Sequence, residues 1–203
     1  MKKFLILVSG NPGTGKSYLC KMIKNKYSSF NIISPDDIKE KYWDKYGFKD
    51  TSEKNLLIEQ SWKEYFDTLS LMMTNDKNIL SDYPFSNKQK NILLNLANQF
   101  KYRVITIRMI ADLDILFERQ KKRDLDPTRH LGHILNSYNP KIKTLNRYQA
   151  DGLLSYNEFI NRCQTRGYDT FVLGELLTID VSDFSKALYN ELLLKLDDIF
   201  NKE

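Results

Sequence analysis

Phe4-Leu5-Ile6-Leu7-Val8-Ser9-Gly10-Asn11-Pro12-Gly13-Thr14-Gly15-Lys16-Ser17 runs a short apolar strand straight into a glycine-rich turn and a lysine–serine pair. The turn has the spacing G-x-x-x-x-G-K-S/T. That spacing needs glycine because the backbone must wrap closely around phosphate oxygens and point its N–H groups at them. A lysine at Lys16 reaches the β- and γ-phosphates, and a hydroxyl at Ser17 can ligate Mg²⁺. An amphipathic stretch from Ser17 to about Lys26 follows, and the positive end of its helix dipole adds to the anion site. Gly10, Asn11, Pro12, Gly13, Thr14, Gly15, Lys16, Ser17 and the adjoining Tyr18 are read as the binding site of a nucleoside triphosphate.

Working outward, short apolar runs alternate with longer amphipathic ones, the pattern of an α/β domain with a mostly parallel sheet. Strands are expected at Phe4–Ser9, Asn31–Ser34, Asn78–Ser81, Arg103–Arg108 and Leu176–Asp180. The first and fourth are rich in Ile, Leu and Val, as strands covered on both faces are. Helices are expected at Ser17–Lys26, Ser52–Met73, Asn87–Phe100, Asp112–Arg123 and Ser185–Ile199, with a piece at Tyr156–Cys163. Another starts at Ser34-Pro35-Asp36-Asp37, where an N-cap serine, a first-turn proline and a third-position acid predict a capping box. In the long third helix Ile58, Trp62, Tyr65, Phe66, Leu69, Met72 and Met73 share one face. Between Asp124 and Glu175 the periodicity weakens at Asp126-Pro127 and Tyr138-Asn139-Pro140.

The 203 residues suit one domain, 1–203, with a sizeable core, and 41% hydrophobic content is that of a globular chain. No stretch approaches the roughly 18 apolar residues of a membrane span. Met1-Lys2-Lys3 resembles a signal-peptide start, but the apolar run after it is too short and flows into the glycine turn. Cys20 and Cys163 form no metal-spaced or redox pair, so a cytoplasmic location with reduced thiols is expected. The net charge of +5 permits contact with nucleic acid without implying it.

The guanine-specificity pattern N-K-x-D is missing: Asn87-Lys88-Gln89-Lys90 lacks the acid. A kinase that moves the γ-phosphate to a hydroxyl is the remaining small class. It needs an acid for the acceptor proton, an acid near the metal, cations over the phosphoryl group and a closing element. Asp36, at the carboxyl end of the second strand, is assigned as general base, whereas Asp37 is the capping acid. Asp82, after the third strand, is in the place of an acid that orients Mg²⁺, together with Ser17, or the acceptor. Arg119 and Arg123 lie four apart on one helix face, with Lys121, Lys122 and Arg129 nearby. His130 and His133 lack companions for a zinc site and belong to a loop or lid. Tyr42, Trp62, Tyr83 and Phe85 are either core or the wall of an acceptor pocket.

Gly-x-Pro-Gly-x-Gly-Lys-Ser, Asp-Asp-Ile-Lys after strand two, Ser-Asp after strand three and Glu-Arg-x-x-x-Arg together resemble the polynucleotide-kinase-like branch of P-loop kinases. Chloramphenicol phosphotransferases and zeta toxins are more distant relatives of that branch. The resemblance covers roughly residues 1–135 and returns at Leu177–Phe184, which looks like the family's last strand and turn near the adenine. It implies a five-stranded parallel sheet ordered 2-3-1-4-5, with a helical lid and acceptor-shaping insert at about 119–175. It also implies Lys16 and Ser17 on phosphate and metal, Asp36 as base, Asp82 at the acceptor side, and Arg119 and Arg123 in the lid. Lys39 stands where the polynucleotide kinases carry arginine, and it cannot make the same bidentate phosphate contact.

The expected activity is ATP- and Mg²⁺-dependent phosphorylation of a hydroxyl on a small acceptor such as a nucleoside or sugar. The alternatives are a 5′-hydroxyl polynucleotide acceptor, or a nucleotide-dependent switch without acceptor chemistry.

Overall fold

β1 (Phe4–Ser9) alternates its side chains between two apolar layers, as the two-residue period of a strand requires. Phe4, Ile6 and Val8 face one layer, while Leu5 and Leu7 face the other. β2 (Phe30–Ile33), β3 (Asn78–Asp82), β4 (Arg103–Ile110) and β5 (Glu175–Asp180) complete a sheet ordered β2-β3-β1-β4-β5. Every pairing is parallel, so each strand is followed by a crossover, and the expected order holds. The computed structural model describes residues 3–142 and 146–201; Met1-Lys2, positions 143–145 of the insert and the last two residues lie outside the described residues.

The helices are α1 (Lys16–Lys26), α2 (Pro35–Tyr46), α3 (Thr51–Thr74), α4 (Asn87–Gln99), α5 (Leu113–Leu125), α6 (Tyr156–Thr165) and α7 (Tyr189–Asn201). α1 and α7 cover one face of the sheet through Leu19, Ile23, Leu192 and Leu196. α3 and α4 cover the other through Tyr65, Leu69, Met73 and Leu93, which includes the face read from the sequence of α3 except Ile58, which lines the cleft. A smaller cluster joins α5 to α6 through Leu116, Phe159 and Cys163, and fixes the insert to the main body.

Several boundaries move. β2 begins at Phe30, which pairs with Asn78, and Ser34 leaves the strand to begin α2. The box predicted at Ser34 does not close, because the Ser34 side chain makes no capping bond. The closed boxes are at Ser86 with Gln89 and at Ser155 with Glu158, while the Asp50 carboxylate caps α3. α7 starts at Tyr189 instead of Ser185, since Asp183 binds the Ser185 backbone N–H and hydroxyl in a local turn that competes with helix. Among the described residues no helix is long and apolar enough to cross a membrane.

Candidate active site

The parallel register brings the carboxyl ends of β1 and β3 side by side, with Val8 opposite Asp82. Ligands of open α/β sheets bind at this edge. Gly10 leaves β1 at φ 131°, and a Cβ there would lie 2.2 Å from the Met109 carbonyl oxygen, so only glycine fits. Gly15 caps α1 at φ 84° without a side chain, which leaves the first N–H groups of the helix facing the loop. Lys16 folds back over this loop, its Nζ donating to the carbonyls of Gly10 (3.0 Å) and Asn11 (2.9 Å). Burial lowers its pKa to about 8, with Asp82 opposing the shift and Arg123 reinforcing it.

Ser17 donates its hydroxyl hydrogen to Asp82 Oδ2 at 2.5 Å. Asp82 is 8% exposed and forms no ion pair among the described residues. A hydroxyl and a carboxylate in contact, the carboxylate outside any ion pair among the described residues, at the mouth of a phosphate loop are the hard oxygen donors that Mg²⁺ prefers. The donor set therefore fits the ion. It also places both predicted metal residues together.

Asp36, in the first turn of α2, accepts from Lys39 Nζ at 3.0 Å. Burial alone would raise its pKa, but Lys39, His133 and Arg129 outweigh burial and hold the carboxyl well below the usual carboxylate range. Asp37 goes the other way: burial raises its pKa, and Asp82, Glu40 and Asp36 add to the rise. Lys39 is committed inside the protein. It is buried, donates to Tyr83 Oη at 2.8 Å and lies 4.1 Å from the Tyr83 ring centroid. Tyr83 and Trp62 line the same cleft, whereas Phe85 is fully buried against Phe171 and belongs to the core. Tyr42 packs at the core margin and does not line the cleft.

Arg119 and Arg123 both face this cleft from α5, but they are held differently. The Arg119 guanidinium donates to the carbonyls of Val181 (2.7 Å) and Ser182 (2.8 Å) and stacks 3.8 Å over the Phe184 ring. Phe184 in turn lies beside Gly15, so Arg119 ties the loop after β5 to the P-loop. Arg123 makes no ion pair or side-chain hydrogen bond among the described residues, and its charge acts on Lys16. Arg129 pairs with Asp124 at 3.6 Å, and Gln120 also donates to Asp124.

The cleft extends well past these groups. It encloses about 1600 Å³ and reaches from Gly13 and Lys16 to Lys54 on α3, to Arg162 on the last turn of α6 and to Arg166, its C-cap. A 3₁₀ turn, Leu131–His133, borders it and is fastened to α2: His130 Nε2 lies 3.0 Å from Asp44 and His133 Nε2 2.7 Å from Glu40. Among the described residues no cluster of three or more His, Cys, Asp or Glu could hold a metal. Lys54, Arg162 and Arg166 were not among the residues singled out from the sequence. The one signal there was the four-residue spacing of the two arginines on a helix, which also describes an ordinary solvated face.

The family profile for the AAA domain matches residues 5–140, about two thirds of the chain. No curated protein matches the sequence. Among solved structures, a protein of Chloroflexus aurantiacus J-10-fl provisionally named a kinase aligns with a TM-score of 0.75 at 21% identity, over 98% of both chains. A chain of the Pnkp1/Rnl/Hen1 RNA repair complex aligns with a TM-score of 0.54 at 14% identity, over 83% of this chain and 45% of its own. Another structure of the Pnkp1/Rnl/Hen1 complex gives 0.50 at 16% identity, over 58% of this chain and 39% of its own. At these identities the likeness is one of fold, and this chain spans less than half of the two repair-complex chains. The chain belongs to the AAA domain family, and its strand order and flanking helices give it the fold of the P-loop kinases.

Proposed function

We propose that this chain is an ATP-dependent kinase that transfers the γ-phosphate to a hydroxyl of a small acceptor such as a nucleoside or a sugar. The observation that carries the reading is that Lys16, Ser17, Asp82, Asp36 and Arg123, drawn from separate elements, line one cleft. The loop N–H groups and Lys16 bind the triphosphate. Ser17 and Asp82 hold Mg²⁺, which when bound neutralises charge on the phosphates. Arg119 and Phe184 frame the nucleoside, and Arg123 stabilises charge on the phosphoryl group in flight.

Asp36 accepts a hydrogen bond from the acceptor hydroxyl and receives its proton. The acceptor oxygen bonds to the γ-phosphorus as the bond to the β–γ bridging oxygen breaks, and ADP leaves. A carboxylate held strongly ionised is a weak base, which suits a loose transition state in which the hydroxyl keeps its proton until late. Its ion pair with Lys39 fixes its direction.

A screen with γ-labelled ATP across nucleosides, sugars, aminoglycoside and phenicol antibiotics and 5′-hydroxyl oligonucleotides tests the reading. Label transfer to a small acceptor is the expected result. ATP bound without transfer to any acceptor overturns it and favours a nucleotide switch. Transfer to the oligonucleotides alone favours the polynucleotide reading, for which the excess of cations in the cleft is the supporting observation.

A further inference from the structure

The cleft is larger than one small ligand needs: about 1600 Å³ in total, against roughly 300–1,000 Å³ for a typical site. It is lined by nine lysines and arginines and only four acids, Asp36, Glu59, Asp82 and Asp124. Lys39 and Arg129 are the two of these cations that form ion pairs among the described residues. Lys16, Arg119 and Arg123 stand at the triphosphate. Lys88 stands at the start of α4, and Lys54, Arg162 and Arg166 line the cleft on α3 and at the end of α6, with no carboxylate in ion-pair contact among the described residues.

We infer that Lys54, Arg162 and Arg166 form a phosphate-binding subsite, so that the acceptor is a small alcohol already carrying a phosphate group. This rests on the reading of the cleft as a kinase site. Lys54 extends from the first turn of α3 and spends one donor on the Leu135 carbonyl at 2.8 Å. Its ammonium sits 5.7 Å from the Trp43 ring centroid and 5.3 Å from that of Phe48, with two further N–H donors for a ligand. Near enough to act on its charge, Arg162 has its Nε buried without a hydrogen-bond partner. An unpaired buried guanidinium nitrogen is costly unless a ligand satisfies it, and phosphate matches its fork geometry.

Like charges reinforce the point. Burial and the neighbouring Arg162 guanidinium lower Lys54 to a pKa of about 8, against a weaker opposing pull from Asp151. Two cations turned toward one cavity repel until an anion lies between them. The subsite is also placed for transfer. Phe159 and Cys163 of α6 pack on Leu116 of α5, and the Leu116 carbonyl lies 2.8 Å from where a Cβ on P-loop Gly13 would stand. Arg162 is therefore carried on the same frame as the triphosphate loop. The three cations share one cleft instead of tracking along a surface, which suits a compact phosphate ester better than a strand with many phosphates.

The test uses the full chain saturated with Mg²⁺ and AMP-PNP, so that the P-loop is occupied, and titrates inorganic phosphate followed by ³¹P line broadening. Saturable binding is expected, stronger than that of acetate. It should weaken by about tenfold or more in the Arg162→Gln/Arg166→Gln double variant and again in Lys54→Gln, with AMP-PNP affinity and Tm unchanged. It should also weaken as pH rises above 8 and Lys54 loses its proton. No saturable binding, equal binding of acetate, or binding unchanged in both variants overturns the subsite. Oligonucleotide affinity that grows with length and is insensitive to these variants overturns the small-acceptor form of it. In the labelled-ATP assay, phosphorylated alcohols should be preferred to their dephosphorylated counterparts, and preference for the neutral partner overturns the inference. Phosphate binding that is lost in the variants, without transfer to any acceptor, leaves the subsite standing and removes the kinase reading.

Discussion

Ser17 holds Asp82 and Lys16 lies over its own loop, whereas Lys54, Arg162 and Arg166, which line the same cleft from α3 and the end of α6, form no ion pair with a carboxylate among the described residues. The donor end is set by the sheet. Its residues follow β1, β2 and β3, whose register is fixed by strand pairing and by apolar side chains on both faces. The acceptor end is assembled from the start of α3 and the end of α6, and its position depends on the small α5–α6 cluster. The difference indicates a common phosphate-handling device joined to a separately shaped recognition end, and the two should fail separately.

The largest effect is expected at the donor end. Lys16→Ala should reduce phosphotransfer by about 10³-fold, measured as initial rates at saturating acceptor. A rate within a few fold of wild type would remove the P-loop from the chemistry. Next, Arg123→Ala should lower kcat by about 10²-fold or more, because its guanidinium lines the cleft without an ion pair among the described residues and its charge reaches Lys16. Arg119→Ala should act mainly on the KM for ATP, since Arg119 is bound to the Val181 and Ser182 carbonyls and to Phe184. Equal kcat losses in the two variants would erase the distinction between them.

Phe159→Ala tests the acceptor end by removing the largest fully buried side chain between α5 and α6. It should cost up to about 3–5 kcal/mol of packing, read from denaturant unfolding. It should also raise the KM of the acceptor while leaving ATP affinity near wild type. The smallest effect concerns the fastening of the 3₁₀ turn to α2. Burial holds the His133 pKa below its usual 6.5, with Glu40 opposing, and the His133 hydrogen bond and charge, outweighing burial, hold Glu40 below its own usual value. In both cases the unfolded chain binds protons more readily, so stability is full above pH 6.5 and declines as pH falls below it. His133→Gln should flatten the upper part of that decline in a series of thermal melts.

The sheet was legible from sequence because β1 and β4 are apolar enough to demand cover on both faces, and their period and length allow little else. Asp36 and Asp82 were legible for a related reason, since each follows a strand and must emerge at the shared edge. The capping box at Ser34 was misread because the residue pattern does not fix the serine rotamer, and local turn chemistry at Asp183 delayed α7. Arg162 was not legible at all. On α6 it reads as one more charge on an amphipathic helix, and only the long-range packing of Phe159 on Leu116 turns it inward. Tyr83 and Phe85 show the same limit: two residues apart on one loop, one lines the cleft and the other fills the core.

The central claim is that Asp36 takes the acceptor proton in a phosphoryl transfer whose donor is held elsewhere. It is tested most directly by comparing Asp36→Asn with wild type for ATP binding and for label transfer, with Tm as a check on Lys39, which loses its charged partner and keeps Tyr83. The account predicts unchanged ATP affinity with transfer reduced by about 10²–10⁴-fold. Transfer at the wild-type rate in a folded variant would contradict it.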